Sequence, residues 1–403
     1  MNPSNQEQPA GAGRPLGVRL TWLGALSFAS GLPYFFFNET VPVWLAQQGV
    51  SLAGIGLATG ASLPWVLKFL WAPLVDRVGS RRAWIRACLA LLAATSALFA
   101  GPDLITLTTA LGVLLLLYVT LSATQDIAID AYTIETTSGR ELGVANSVRI
   151  AAYRSASFVS SALLVWLAAR WGWASAFLTG ALLFTLLAAG SLVLPVTRRT
   201  QTEPPSLGEP VAALLRRPRV WAVILFALLF KLDISAMEPM TKPFWVASGL
   251  SLDQIAALTT GRLAATLAGA TLGGLFATRA GIFTALWSMG VVQLLSSLGY
   301  SLAAALPAHT GLIVGAALFE NFAAGLGTAA FLAYLMSVCE RRYAATQFAL
   351  LSAVFALSRW GAGVLSGFLA QRLGFSQYFL LTFALGLPAY GLLPWVRGTE
   401  RDT

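Results

Sequence analysis

The sequence is poor in charge and in the residue types on which soluble catalysts depend. Only 11% of its 403 residues are charged, against about 25% in an ordinary soluble domain. With 57% hydrophobic residues, a chain of this size cannot hide its apolar surface in one aqueous core. A water-soluble enzyme and a disordered chain are therefore excluded. The single histidine, His309, leaves no histidine-based metal site and no catalytic triad. Two cysteines, Cys88 and Cys339, make no disulfide framework. No Gly-x-x-x-x-Gly-Lys-Ser/Thr loop occurs, so ATP is not the expected energy source. Neither a metal nor any other cofactor is expected, and no stretch reads as a cleaved signal peptide. The net charge of +9 is a small excess of 26 basic over 17 acidic residues, and it does not point to a nucleic-acid partner.

What is abundant is apolar sequence. A bilayer is spanned by about twenty apolar residues in a helix. Twelve such stretches occur, at 20–46, 52–75, 83–100, 104–130, 143–168, 173–195, 220–247, 252–277, 281–305, 309–337, 345–370 and 375–396. Residues 1–19 are polar and rich in Gly and Pro, and read as a disordered cytoplasmic leader. Residues 196–219 read as a cytoplasmic linker between two six-helix bundles, 20–195 and 220–396, followed by a tail at 397–403. Seventeen arginines then fall on the side that holds the N-terminus, whereas the other side holds only Arg170 and Arg372. Basic loops stay in the cytoplasm. Both termini are accordingly expected there, in a multi-pass protein of a bacterial inner membrane.

The two halves repeat one another. Pro42-Val43-Trp44 precedes Gly49-Val50-Ser51-Leu52, Ile55 and Thr59-Gly60. Half a chain later come Pro243-Phe244-Trp245, Gly249-Leu250-Ser251-Leu252, Ile255 and Thr260-Gly261. Ser147 with Arg154 likewise parallels Ser352 with Arg359. An offset that contains an even number of spans gives two parallel halves, the all-α architecture of the major facilitator fold. The segment Asp76-Arg77-Val78-Gly79-Ser80-Arg81-Arg82 resembles the signature loop of that superfamily, with Pro73 where an early glycine is usual. Asp76, Arg77 and Arg81 are read as a gating latch.

Charges inside hydrocarbon are costly, and each is a candidate for function. The basic set is Lys68, Arg149, Arg154, Lys231, Lys242, Arg262 and Arg359; the acidic set is Glu39, Asp126, Asp130, Asp233, Glu238 and Glu320. Each either locks helices together or lines a wet path. Asp126 and Asp130, four apart, share one helix face. Asp126 with Gln125 suits a cavity, and Asp130 suits a latch to the 76–82 arginines. Lys231 sits about 16 Å into its span at the ~1.5 Å helical rise, near the depth where such transporters bind solute. Glu238 and Lys242 share its face and are spaced to pair with each other. Pro239, Pro243 and, in the first span, Pro42 are expected to interrupt their helices, with Asn38 and Glu39 one turn before Pro42. Glu320-Asn321 form a midplane acid and amide. Arg149, Tyr153, Gln125, Lys231, Asn321, Asn38, Glu39, Glu238 and Lys242 are the solute candidates, while Arg154 and Arg359, being repeat-equivalent, suit a shared scaffold role. Asp126, Glu320 and Asp130 are the candidate proton carriers. Gly269-x-x-x-Gly273 reads as a close-packing site. Trp22, Trp44, Trp84, Trp171, Trp173 and Trp245 read as interfacial anchors.

Longer strings carry a narrower resemblance. Phe28-Ala29-Ser30-Gly31-Leu32-Pro33, Leu67-Lys68-Phe69-Leu70-Trp71-Ala72-Pro73, Ser122-Ala123-Thr124-Gln125-Asp126-Ile127, Phe319-Glu320-Asn321 and Ala345-Thr346-Gln347-Phe348-Ala349-Leu350-Leu351-Ser352 resemble the AmpG muropeptide permeases across all twelve spans. The resemblance implies a monomeric proton symporter importing GlcNAc–anhydro-MurNAc and its peptides for cell-wall recycling, with weight on Gln125 and Asp126. Helices one and seven are more charged than that family suggests. A permease of the same fold for another bulky solute, such as a ferric siderophore, is the alternative; an acyl-CoA carrier or a non-transporting signalling protein is more remote.

Overall fold

A computed structural model describes residues 15–101, 108–136, 142–195, 208–306, 309–339 and 344–397. Among the described residues there is no strand. The helices fall into two units, Met1–Trp44 with Ala61–Glu203 and Leu45–Gly60 with Pro204–Thr403.

In the first unit, α1 runs from Leu16–Phe35 through a π-helical turn, Phe36–Thr40, into Val41–Gln47. It starts inside the stretch read as a leader, because Pro15, with φ −52° and ψ 139°, caps it. The π turn is the structural form of the interruption expected at Pro42. A residue without an N–H cannot continue the α-helical ladder, and a wider turn absorbs the mismatch. A second π turn, Val159–Leu163, lies in α5, Leu142–Trp171. The two turns touch: Thr40 Oγ1 donates to the Ser160 carbonyl, and Ser160 Oγ donates to Leu32 O at 3.0 Å.

Helix α2 is broken where the sequence reading expects one span. Leu52–Thr59 gives way to a 3₁₀ turn at Gly60–Ser62, then Leu63–Leu67, a second 3₁₀ turn at Lys68–Leu70, and Ala72–Arg77. Pro64 and Pro73 each stand in the first turn of a new segment, where a missing N–H costs least. The unit is completed by α3 (Arg81–Leu98), α4 (Thr108–Thr136) and α6 (Trp173–Gly190). Helix α4 continues past Asp130 to Thr136. The core of the unit packs Phe36, Phe99, Tyr118 and Phe177 around Trp44, which lies 5.0 Å from the Phe177 ring.

In the second unit a short helix, Gly208–Leu215, leads into α7, which has two parts, Val220–Leu229 and Leu232–Ala247. The helix runs unbroken through Pro239 and Pro243, contrary to expectation, and breaks instead at Lys231, whose φ is −111° and ψ 11°. Then come α8 (Leu252–Ala280), α9 (Ile282–Ala305) and α10 (Thr310–Val338). The last helix, Ala344–Val396, is broken at Gly374 (φ 73°) into two spans, α11 (344–373) and α12 (375–396). Nine helices among the described residues have the length and composition of a membrane span, Leu350–Val396 counting once. Broken α2, the more basic α3 and the division at Gly374 account for the remaining spans of the twelve. Leu116, Leu182, Leu186, Leu272 and Leu275 face outward, as lipid requires, while Ser122, Gln125, Gln293, Ser296 and Ser297 face inward.

Residues 45–60 pack with the second unit. Gln371 Oε1 accepts from the Ala53 N–H at 3.0 Å, and Trp360 Nε1 donates to Gly60 O at 3.1 Å. Gly56 and Gly367 allow the approach: a Cβ on Gly56 would lie 2.8 Å from the Gly367 nitrogen. The repeat explains two tryptophans that are not interfacial anchors. Trp44 and Trp245 are buried to 3% and 0% exposure, because Pro-x-Trp at each helix end turns the indole into its own unit's core.

Candidate functional site

Two polar clusters form, one in each unit. In the first unit a cavity of about 480 Å³ is lined by Ser27 and Ser30 of α1, Asp126, Ile129 and Asp130 of α4, and Arg149, Tyr153 and Arg154 of α5. Asp126 Oδ1 accepts from Ser30 Oγ at 2.6 Å, and its other oxygen lies 3.7 Å from Lys68 Nζ. Lys68 comes from the second 3₁₀ turn of α2, so the break in that helix delivers the cation. Asp130 Oδ1 accepts from Arg149 Nη2 at 2.8 Å. Asp126 therefore pairs with Lys68, and Asp130 with Arg149.

Gln125 is fully buried against α1, donating to Ala29 O at 3.3 Å. It packs the site from behind. Tyr153 joins an aromatic group, its ring 5.1 Å from Phe35 and 6.3 Å from Tyr34; Tyr34 lies 5.0 Å from Trp65. Asn38 donates to Tyr34 O at 2.9 Å, and Glu39 is half-buried in the π turn. In the loop, Arg81 Nη1 donates to Val75 O at 2.8 Å, which ties the start of α3 to the end of α2. The side chains of Asp76 and Arg77 lie outside the described residues.

The second cluster is buried and tightly bonded. Lys231, 4% exposed, donates to Gln293 Oε1 at 2.5 Å, Thr328 Oγ1 at 2.9 Å and Ala324 O at 3.2 Å. The amide nitrogen of Gln293 reaches both oxygens of Asp233, at 3.2 and 3.1 Å. Gln293 thus bridges a buried cation and a buried carboxylate. Gly327 makes room for it, since a Cβ there would collide with the Gln293 amide oxygen. Asn321 Nδ2 donates to Glu320 Oε2 at 2.6 Å and to Ala317 O at 2.9 Å, and Asn321 Oδ1 accepts from Thr266 at 3.3 Å. The Arg262 guanidinium stands 5.0 Å over the Trp245 ring. Glu238 pairs with Arg359 at 2.9 Å and so reaches α11, and Lys242 is 3% exposed.

The sequence reading named Asp126, Asp130, Arg149, Tyr153 and Arg154, and the fold brings these five around one cavity. It listed Lys68 and Asp233 as membrane charges without assigning them a site, and it passed over Ser30, Gln293 and Thr328. Serine and threonine are too common in membrane helices to stand out. Gln293 had a signal: it is an amide in the apolar helix α9. The repeat-equivalent arginines differ in their surroundings. Arg359 is ion-paired, whereas Arg154 lines the cavity without an ion-pair partner among the described residues.

A profile described as Major Facilitator Superfamily matches residues 23–360. The Anhydromuropeptide permease of Escherichia coli (strain K12) is 33% identical over 391 residues, covering 94% of this chain and 79% of that one. A protein of Haemophilus influenzae is 34% identical over 402 residues, covering 93% of each. Among solved structures, a bacterial homolog of the human lysosomal transporter Spinster aligns with TM-score 0.77 at 13% identity, covering 96% of this chain and 98% of that one. A D-xylose-proton symporter aligns at 0.71 and 15%, with the same coverage. At such identities the likeness bears on the fold alone.

Proposed function

Because the chain belongs to the major facilitator superfamily and, within it, to the anhydromuropeptide permeases, we propose that it imports GlcNAc–anhydro-MurNAc and its peptides across the bacterial inner membrane by proton symport. It is a multi-pass secondary transporter and not an enzyme. The observation that carries the proposal is Asp126: a carboxylate on a cavity wall, held by one hydroxyl at 2.6 Å and one loosely placed ammonium at 3.7 Å. Such a group can take a proton and keep the Ser30 contact, while Lys68 loses its counter-charge and becomes available to an incoming anion. Asp130 with Arg149 gives the cavity a second exchangeable pair.

The cavity's mixture of hydroxyls, acids and guanidinium groups beside aromatic rings suits an amino sugar that carries peptide carboxylates. Glu320 and the Lys231–Gln293–Asp233 bridge are read as the second unit's share of an alternating-access cycle, performed by a monomer with both termini in the cytoplasm. The test is uptake of labelled GlcNAc–anhydro-MurNAc-tripeptide into vesicles containing the purified protein. An imposed inward proton gradient should drive accumulation above equilibrium, and a protonophore should abolish it. No uptake under the gradient, or uptake of a ferric siderophore in its place, refutes the substrate assignment.

A further inference from the structure

The charges around the first unit's cavity do not balance. Asp126 faces Lys68 from α2 and Ser30 from α1, and Asp130 faces Arg149 from α5. Arg154 is the third cation. It is exposed on the cavity wall, and among the described residues it has neither an ion pair nor a hydrogen bond. A guanidinium on a lined cavity with no internal acceptor presents its fork of donors to whatever enters, and that fork matches a carboxylate two-pronged.

A second observation points the same way. Ser27, 4% exposed, lines the same cavity, and among the described residues its hydroxyl oxygen has no hydrogen-bond partner. Buried polar groups are normally satisfied, so this hydroxyl is placed for a polar ligand. Next to Arg154, Tyr153 also lines the cavity, its ring braced by Phe35 at 5.1 Å and Tyr34 at 6.3 Å, and an aromatic face suits the C–H face of a sugar ring.

We propose that Arg154 is the anchor for a carboxylate of the transported sugar, with the Tyr153 ring taking the sugar ring beside it. The inference rests on the reading of this cavity as the solute site, and it replaces the scaffold role that repeat-equivalence with Arg359 suggested. It makes the carrier selective for acidic sugars over neutral ones of the same shape.

The test uses GlcNAc–anhydro-MurNAc, which bears one lactyl carboxylate, and the same disaccharide with that group converted to a primary amide. Binding of each to the purified full-length chain is measured for wild type, Arg154→Gln and Arg154→Lys. The wild type should prefer the acid by about tenfold or more, the usual effect of a charge-assisted contact. In Arg154→Gln the preference should collapse to within about twofold with the amide still bound, and that retained binding reports a folded cavity. Arg154→Lys should restore part of the preference. An undiminished preference in Arg154→Gln, or no preference in the wild type, overturns the inference and leaves the transport proposal standing. Failure of the wild type to bind either sugar sinks the transport proposal itself.

Discussion

At the scale of single residues, the two polar clusters differ in what holds their charges. Asp126 has one short contact and one long one, and it lines open space. Asp233 and Lys231 are tied together through Gln293, and Lys231 also donates to Thr328 and the Ala324 carbonyl. The first arrangement suits a group that changes charge, and the second suits a fixed bridge. Asp126→Asn keeps the shape and the Ser30 contact but removes the exchangeable proton. We expect gradient-driven uptake to be lost while solute exchange across the membrane persists; equal loss in both assays would assign Asp126 to binding or folding. Gln293→Ala has a different consequence. It strips a buried ammonium and a buried carboxylate of their shared partner, and hydrogen bonds to charged groups are worth about 1.5–3 kcal/mol each. The purified variant should therefore melt several degrees below wild type. A melting temperature equal to that of wild type would mean that the Lys231–Gln293–Asp233 bridge carries no net stability.

At the scale of helices, close packing depends on small residues. Helices α8 and α10 meet at Gly269, Gly273 and Gly325. A Cβ on Gly273 would sit 2.6 Å from Leu326 O, and one on Gly325 would lie 2.8 Å from the Ala270 nitrogen. Backbone cannot retreat as a flexible side chain can, so the helices must separate to admit it. Gly325→Val should lower the yield of folded protein and its melting temperature, whereas Gly274→Val, with nothing within 4 Å, should leave both near wild type. Equal behaviour of the two variants would refute the close-packing reading. The Gly269-x-x-x-Gly273 spacing made this contact legible in the sequence, and hydropathy alone delimited most spans to within a few residues. The breaks in α2 and α7 were not legible. Proline marks where a helix can begin as readily as where it must end, and Pro239 and Pro243 lie inside a continuous helix. Lys231 breaks α7 although lysine is a good helix former, because tertiary bonds to α9 and α10 fix its side chain. Partners across helices, such as Lys68 for Asp126 and Arg359 for Glu238, have no sequence spacing to betray them.

At the scale of the molecule, the distribution of basic residues predicts an orientation with both termini in the cytoplasm. Each lysine or arginine near an anionic cytoplasmic leaflet gains about 1 kcal/mol. An asymmetry of seventeen arginines to two therefore outweighs any single loop, and reversing it would require moving several charges together. The second-half segments Arg216, Arg217 and Arg219 before α7 and Arg279 after α8 repeat the bias of the first half. The two halves agree independently, as parallel repeats must. A green fluorescent protein fused at residue 403 should therefore fluoresce in cells, since it folds poorly after export. Alkaline phosphatase fused after Leu306, between α9 and α10, should be active, since it requires the oxidising side of the membrane. The reverse pattern would invert every assignment of inside and outside.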